Sequence, residues 1–163
     1  MSDFCIHIKL NDYLAQWFIN SHGGQNPVRL LKGSIESKVL SLYLTKRPPT
    51  ARPVPVSKMN VSIVIPCFRT KPPEYFNYLP HYAYNALVKE IINRFDVDLF
   101  SSLHAFGHIG KKQKDLVYAW MEARGIEDSP RNWDAIVKRY QRLRNVYKNN
   151  ERNKIKYNSK KNH

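Results

Sequence analysis

The sequence has only two cysteines, Cys5 and Cys67, in 163 residues. So few cysteines cannot supply the disulfide framework of a small secreted domain, and they do not have the spacing of a cysteine-based metal site. Each lies in a short apolar segment, where a free thiol packs as a small hydrophobic side chain. We therefore expect a protein of a reducing compartment, the cytoplasm, that binds no metal.

Long apolar runs are also missing. A helix that spans a bilayer needs about 20 consecutive apolar residues, and no run in this sequence approaches that length. Near the start of the chain, Phe4-Cys5-Ile6 is too short for the apolar part of a signal peptide, and Asp3 precedes it. These observations predict a soluble protein that has no membrane partner.

Motifs that would indicate an enzyme or a cofactor site are absent from the sequence. It contains no phosphate-binding GxxxxGK[ST] motif and no recognisable Ser-His-Asp or Cys-His arrangement. His104 and His108 are four residues apart, but a glycine lies between them and no third ligand follows at the spacing of a zinc protease. Glu90, Asp96 and Asp98 match no nuclease pattern. We predict no catalytic residue, no cofactor and a function that is not enzymatic.

Acidic residues are scarce, with 13 Asp and Glu against 27 Lys and Arg and a net charge of +14. The excess is concentrated in residues 129–163, where 11 basic residues face only Asp134 and Glu151. Such a charge attracts polyanions, either nucleic acid or an anionic membrane. The membrane is the weaker candidate because Trp133 and Tyr140 lie where a helix bundle would bury them. We therefore expect the C-terminal region to contact a nucleic acid.

Residues 1–80 have the pattern of a small α+β part. Alternating or β-branched apolar residues predict strands at residues 4–10, 27–31 and 61–68. One helix is predicted to begin after Asn11 and to end at Gly23-Gly24. A second is predicted to begin after Ser34. Its predicted apolar stripe consists of Ile35, Val39, Leu42 and Tyr43. Proline-containing loops are predicted at residues 46–56 and 69–80.

From His81 onward, the spacing of apolar residues becomes helical. Helices are predicted at residues 81–106, with room for a break at residues 96–98, then at 111–124 and 130–149. Gly125 suits the position after a helix end, and Ser129-Pro130 suits a helix start. Residues 150–163 are almost devoid of apolar side chains and are predicted to be disordered. The predicted fold is thus α+β, with a helical part at residues 81–149 and a basic tail.

The last predicted helix has an apolar side and a basic side. Its apolar stripe contains Trp133, Ile136, Val137, Tyr140, Leu143 and Tyr147. We predict that Arg131 and Asn132 contact bases, because Arg can bind guanine and Asn can bind adenine through paired hydrogen bonds. The predicted phosphate contacts on this helix are Lys138, Arg139, Arg142 and Arg144. Lys148 is a further predicted nucleic-acid contact, and Lys111, Lys112 and Lys114 at the start of the previous helix are predicted to meet phosphate. Lysines at a helix start oppose the helix dipole, and a bound phosphate would offset that cost.

The four residues 125–128 form the short, glycine-containing turn expected between the two helices of a helix-turn-helix unit. With Trp120 in one helix and Trp133 at the start of the next, residues 111–148 resemble homeodomain-like and Myb/SANT-like three-helix DNA-binding proteins. The whole chain resembles small basic accessory proteins of bacterial phages and mobile elements. Both resemblances imply a DNA-binding function, such as transcriptional regulation.

Three other interpretations of the sequence remain open. The basic helix and tail could bind a structured RNA. The N-terminal part could dock another protein, while the tail only anchors the chain weakly to nucleic acid. The basic face could also be merely solvated, as many such faces are. The sequence shows no coiled-coil seam that would fix an oligomeric state.

Overall fold

The computed structural model describes residues 3–53 and 55–161. In chain order, the elements are β1 (Cys5–Ile8), α1 (Asp12–Ser21), α2 (Ile35–Tyr43), β2 (Val61–Val64), α3 (His81–Leu103), α4 (Lys114–Ala123) and α5 (Pro130–Lys161). Short 3-10 turns lie at Val56–Lys58, His104–Phe106 and Lys111–Gln113. Helices with a small antiparallel sheet confirm the α+β class.

The chain forms two compact units. Unit 1 contains the described residues up to Arg94 together with Arg124–Ile126. Unit 2 contains Phe95–Ala123 and the described residues from Glu127 onward. The chain therefore passes from unit 1 to unit 2 within α3, returns to unit 1 for three residues after α4, and ends in unit 2.

The sheet of unit 1 pairs β1 with β2 in antiparallel register, so that Cys5 lies opposite Val64 and Ile8 opposite Val61. Side-chain alternation in β1 buries Ile6 and Ile8, as predicted. The strand predicted at residues 27–31 is reduced to one bridge between Val28 and Ile63. Within that segment only Val28 is buried and apolar, and proline before it cannot donate a ladder hydrogen bond.

Helix α1 ends where the sequence predicted, because Gly23 and Gly24 have φ values of +100° and +80°. The predicted N-cap of α2 is confirmed, since the Ser34 hydroxyl oxygen accepts a hydrogen bond from Ser37 N at 3.3 Å. The apolar stripe predicted for α2 is wrong in part. This helix buries Val39, Leu40 and the acidic Glu36.

Glu36 explains the unexpected orientation of α2. Its side chain is fully buried and its Oε1 accepts a hydrogen bond from Arg94 of α3, so the helix face that carries this carboxylate turns inward. As a result, Ile35 and Leu42, which the stripe would have buried, are 44% and 71% exposed. A buried carboxylate needs such a partner, and the sequence pattern alone did not reveal it.

His22 completes this charged cluster in unit 1. Its Nδ1 accepts a hydrogen bond from Leu31 N at 3.1 Å, so the neutral ring carries its proton on Nε2, which lies 3.9 Å from Glu36 Oε2. Burial lowers the pKa of His22 below its ordinary value; the Glu36 carboxylate opposes this shift and the Arg94 charge adds to it. The His22 imidazole is therefore held neutral beside an ion pair whose carboxylate is fully buried.

Helix α3 shows no break at residues 96–98. Leu87, Ile91, Phe95, Leu99 and Leu103 are all buried at four-residue intervals, a pattern that continues through the predicted break. Continuous burial of one face outweighs the helix-terminating tendency of Asp96 and Asp98.

The predicted disordered tail is also corrected, since α5 continues through Lys161. Residues 131–161 contain neither glycine nor proline, and a helix that is already nucleated extends at little cost per residue. Glu151 and Lys154 form an ion pair at 3.1 Å along this extension. All side chains of residues 152–161 are exposed, so the extension has no packing of its own.

Candidate nucleic-acid interface

The start of α5 is fixed by local sequence. The Ser129 hydroxyl oxygen accepts a hydrogen bond from Asn132 N at 3.1 Å, and Pro130 occupies the first helical position. Six residues, 124–129, connect α4 to α5, and Gly125 has a φ of +68°, as its position after a helix end predicted. A Cβ at Gly125 would lie 2.7 Å from the Asn20 side chain, so both the contact and the positive φ favour glycine here. The classification of this connection as a helix-turn-helix turn stays a prediction.

The buried side of α5 fixes how the helix is rotated within unit 2. Ile136 and Tyr140 are fully buried. The Tyr140 hydroxyl lies 2.6 Å from Gly107 O and 3.2 Å from Leu103 O, to which it can donate. Burial raises the pKa of Tyr140, while the nearby Arg144 charge partly opposes that shift. With one face held in this way, the opposite face of α5 points outward.

Three helical segments of unit 2 meet around this core. The Phe95 ring of α3 contacts the Trp120 ring of α4 edge-on, with centroids 6.0 Å apart. Trp133 Nε1 of α5 donates a hydrogen bond to Lys114 O at 3.3 Å. The first turn of α4 therefore lies beside the first turn of α5, and Lys114 is brought close to the region that contains Arg131.

Most of the side chains predicted to contact nucleic acid are exposed. They are Lys111, Lys112, Lys114, Arg131, Lys138, Arg142 and Lys148. Lys138 forms an ion pair with Asp134 at 2.7 Å, but both side chains are more than half exposed. A pair of this kind contributes little to stability and does not prevent Lys138 from meeting a phosphate.

Asn132 does not belong to this exposed surface. It is 5% exposed, and its Nδ2 donates a hydrogen bond to Glu127 O at 3.1 Å. Asn132 N also donates a hydrogen bond to the Ser129 hydroxyl oxygen, so both polar groups of Asn132 stabilise the start of the helix. The predicted contact between Asn132 and a base is therefore not supported by its position.

Arg139 is also removed from the predicted phosphate contacts. Its Nε and Nη2 donate to the two carboxylate oxygens of Asp96 at 2.5 and 2.8 Å, and the Arg139 side chain is 28% exposed. The paired geometry neutralises its charge. Asp96 lies 43 residues earlier in the sequence, so helical spacing within α5 could not identify this partner. Arg144 is half-buried beside Tyr140 and presents only part of its side chain.

Sequence reasoning missed an apolar groove between α3 and α5 in unit 2. The groove is shallow and open to solvent, with a volume of about 360 Å³. Its lining includes Val97, Phe100, Leu143, Val146 and Tyr147. Tyr147 was predicted to be in the core, yet it is 53% exposed. The apolar stripe of α5 thus extends past the end of the packed core.

The described part of the chain shows no group of three or more His, Cys, Asp and Glu side chains arranged to hold a metal ion. No helix among residues 3–53 and 55–161 is both long and apolar enough to cross a membrane. Comparison of the chain with protein-family models, curated proteins and solved structures finds no match.

Proposed function

We propose that the chain is a non-catalytic, cytoplasmic DNA-binding protein, either a transcriptional regulator or an accessory factor of a mobile element. The observation that carries this proposal is the exposure of Lys138 and Arg142 on the face of α5 opposite the buried Ile136 and Tyr140. A helix held by one face presents the other to a partner. Both cysteines are free, which suits the cytoplasm.

The dimensions of α5 favour duplex DNA. An α-helix with its side chains is about 10–12 Å wide, and the major groove of B-form DNA is about 12 Å wide. The major groove of A-form RNA is too narrow and deep for side chains to read. The 32 residues of α5 extend about 48 Å at 1.5 Å per residue, so exposed cations can meet phosphates well beyond one groove crossing.

The roles of individual residues follow from their positions. Arg131, in the first turn of α5, is the proposed base-contacting residue, since recognition helices use their N-terminal residues for base edges. Lys138, Arg142 and Lys148 are proposed to contact phosphates. Lys111, Lys112 and Lys114 are proposed to contact phosphate near the start of α5, because α4 begins beside it.

The test is fluorescence anisotropy with labelled DNA and RNA duplexes of equal length across a salt series. We expect tight binding to DNA that weakens steeply as salt increases. The double variant Lys138→Ala/Arg142→Ala should reduce the slope of log affinity against log salt by about one for each phosphate that the variant no longer binds.

The matched control is Lys32→Ala/Lys38→Ala, which removes the same charge from two exposed lysines of unit 1. It should leave the affinity and the salt slope unchanged. Equal reductions of affinity in both double variants would show that only the net charge matters, and preferential binding of the RNA duplex would contradict the proposed DNA partner.

A second candidate function is protein binding through unit 1. Leu31, Ile35 and Leu42 are 57%, 44% and 71% exposed, which is unusual for three apolar residues within one short stretch. This alternative is favoured if adding the chain at moderate salt changes the anisotropy of neither the labelled DNA duplex nor the labelled RNA duplex.

A further inference from the structure

Five cations follow one another along α5 at intervals of four residues. They are Arg144, Lys148, Arg152, Lys156 and Lys160, and we call this row the cation ladder. Residues four apart lie on neighbouring turns of the same helix face, about 6 Å apart along the axis. The ladder therefore extends for about 24 Å as a shallow spiral. It begins beside the packed core of unit 2 and ends at the last described turn.

No ion pair within the described part of the chain neutralises the cation ladder. Among the described residues, none of its five members takes part in an ion pair. The acidic residue in this part of α5, Glu151, pairs with Lys154, which lies off the ladder. Like charges four residues apart destabilise a helix, and the ladder contains four such neighbouring pairs.

The last three turns of α5 also lack any packing that would offset this repulsion. All side chains of residues 152–161 are exposed, including Ile155 at 67% and Tyr157 at 61%. A helix that is polar on every side is weakly stable unless its charges are paired. Residues 130–149 provide the nucleus for this extension, so a modest external contribution changes how stable its helix is.

We infer that the cation ladder is a phosphate-binding row, and that the sugar-phosphate backbone of a bound nucleic acid stabilises residues 150–161 as a helix. This inference rests on the proposed nucleic-acid-binding function and adds a second contact region to it. Phosphates placed along the row replace the repulsion between neighbouring cations with attraction. Nucleic-acid binding and helix formation in this segment then favour each other.

The first experiment measures binding of a 20-base-pair DNA duplex to the full chain, together with hydrogen exchange of the amides of residues 150–161. The duplex should slow exchange in this segment. Lys156→Gln/Lys160→Gln should lower the salt slope by about 1.8, because each phosphate contact contributes about 0.9. The control, Lys154→Gln/Lys161→Gln, removes the same charge from the same segment but off the ladder, and it should preserve the slope.

A second variant separates phosphate binding from helix stability. Lys156→Glu places a carboxylate four residues from both Arg152 and Lys160, which creates two attractive pairs where the ladder has repulsive ones. Exchange of residues 150–161 in the free chain should become slower, while affinity for the duplex should fall at least tenfold. A segment that only needed to be helical would instead bind equally well or better.

The outcomes distinguish the inference from the function on which it rests. Absence of duplex binding would overturn both. Binding that is sensitive to Lys138 and Arg142 but equal in the ladder variant and its control would overturn the inference and leave the proposed function standing. Binding without slower exchange in residues 150–161 would also overturn the inference.

Discussion

The two compact units use their charged residues in opposite ways. Unit 1 buries Glu36 completely and places the Arg94 guanidinium against it, beside a neutral His22. Unit 2 keeps cations of α5 at its surface, with Arg142 and Lys148 exposed to solvent. A buried charge constrains the fold because its partner cannot be removed without a large cost, whereas an exposed charge contributes little to the fold and remains available to a ligand.

This difference predicts that unit 1 is sensitive to mutation of its Glu36–Arg94 pair and that unit 2 tolerates mutation of the exposed cations of α5. The Asp96–Arg139 pair of unit 2 should be intermediate in its sensitivity to mutation, because its side chains are only 20% and 28% exposed. Substitutions at the Glu36–Arg94 pair of unit 1 should therefore lower the free energy of unfolding, whereas substitutions of the exposed α5 cations should act mainly on nucleic-acid binding.

The largest expected effect is that of Arg94→Met. This change keeps an apolar side chain near Trp17, which the Arg94 guanidinium now covers at 5.4 Å from the ring centroid. It leaves the Glu36 carboxylate buried without its partner, so the free energy of unfolding should fall by about 3–5 kcal/mol. Urea denaturation of the full chain measures this decrease.

Its control is Arg29→Met, which breaks the ion pair between Arg29 and Asp3, whose side chains are 68% and 45% exposed. That change should cost less than about 1 kcal/mol. Equal costs for the two variants would mean that the Glu36–Arg94 pair is not the constraint described for unit 1.

A smaller effect is expected at the helix starts of the two units. Ser129→Ala removes the hydroxyl that accepts a hydrogen bond from Asn132 N, and it should lower the free energy of unfolding by about 1 kcal/mol. Asn11→Ala in unit 1 should have almost no effect, since the Asn11 side chain makes no capping hydrogen bond. Thermal denaturation of both variants tests the contrast, which equal shifts would contradict.

The smallest effect between pH 7.5 and 6 is a decrease in stability caused by His22. Burial in the folded chain lowers the pKa of His22 below its ordinary value of 6.5. Below pH 6.5 the His22 imidazole is therefore protonated more readily in the unfolded chain than in the folded chain. The free energy of unfolding should therefore be highest above pH 6.5 and should decrease as the pH falls.

Urea midpoints across this pH range measure the His22 contribution. His22→Asn keeps an acceptor for Leu31 N and should flatten the dependence. His81→Asn, at an exposed position, should leave the dependence as it is in the natural chain. An unchanged pH dependence in His22→Asn would show that another group is responsible.

Local sequence signals predicted many of the element boundaries. Gly23-Gly24, Ser34, Gly125 and Ser129-Pro130 act within a few residues of themselves, and the structure places each at a helix end or start. The errors occur where distant residues decide. Glu36 rotated α2 because of Arg94, which is 58 residues away, and only tertiary structure brings the two together.

The candidate interface shows the same limit. Helical periodicity correctly separated the buried Ile136 and Tyr140 from the exposed Lys138 and Arg142. It could not detect that Arg139 is paired with Asp96, a partner from another helix. Composition alone also suggested disorder after residue 149, because it ignores the packed helix from which that segment extends.

The route of the chain through its two units limits how the protein can be divided. Unit 1 needs α3 as far as Arg94, because Ala83, Leu87 and Ile91 are fully buried there, and it also includes Arg124–Ile126. No single truncation point therefore produces a fragment that contains all residues of one unit and none of the other. A fragment ending at Pro80 would expose the core that these residues cover, so failure of a truncated clone to bind DNA would report misfolding as readily as a missing binding surface.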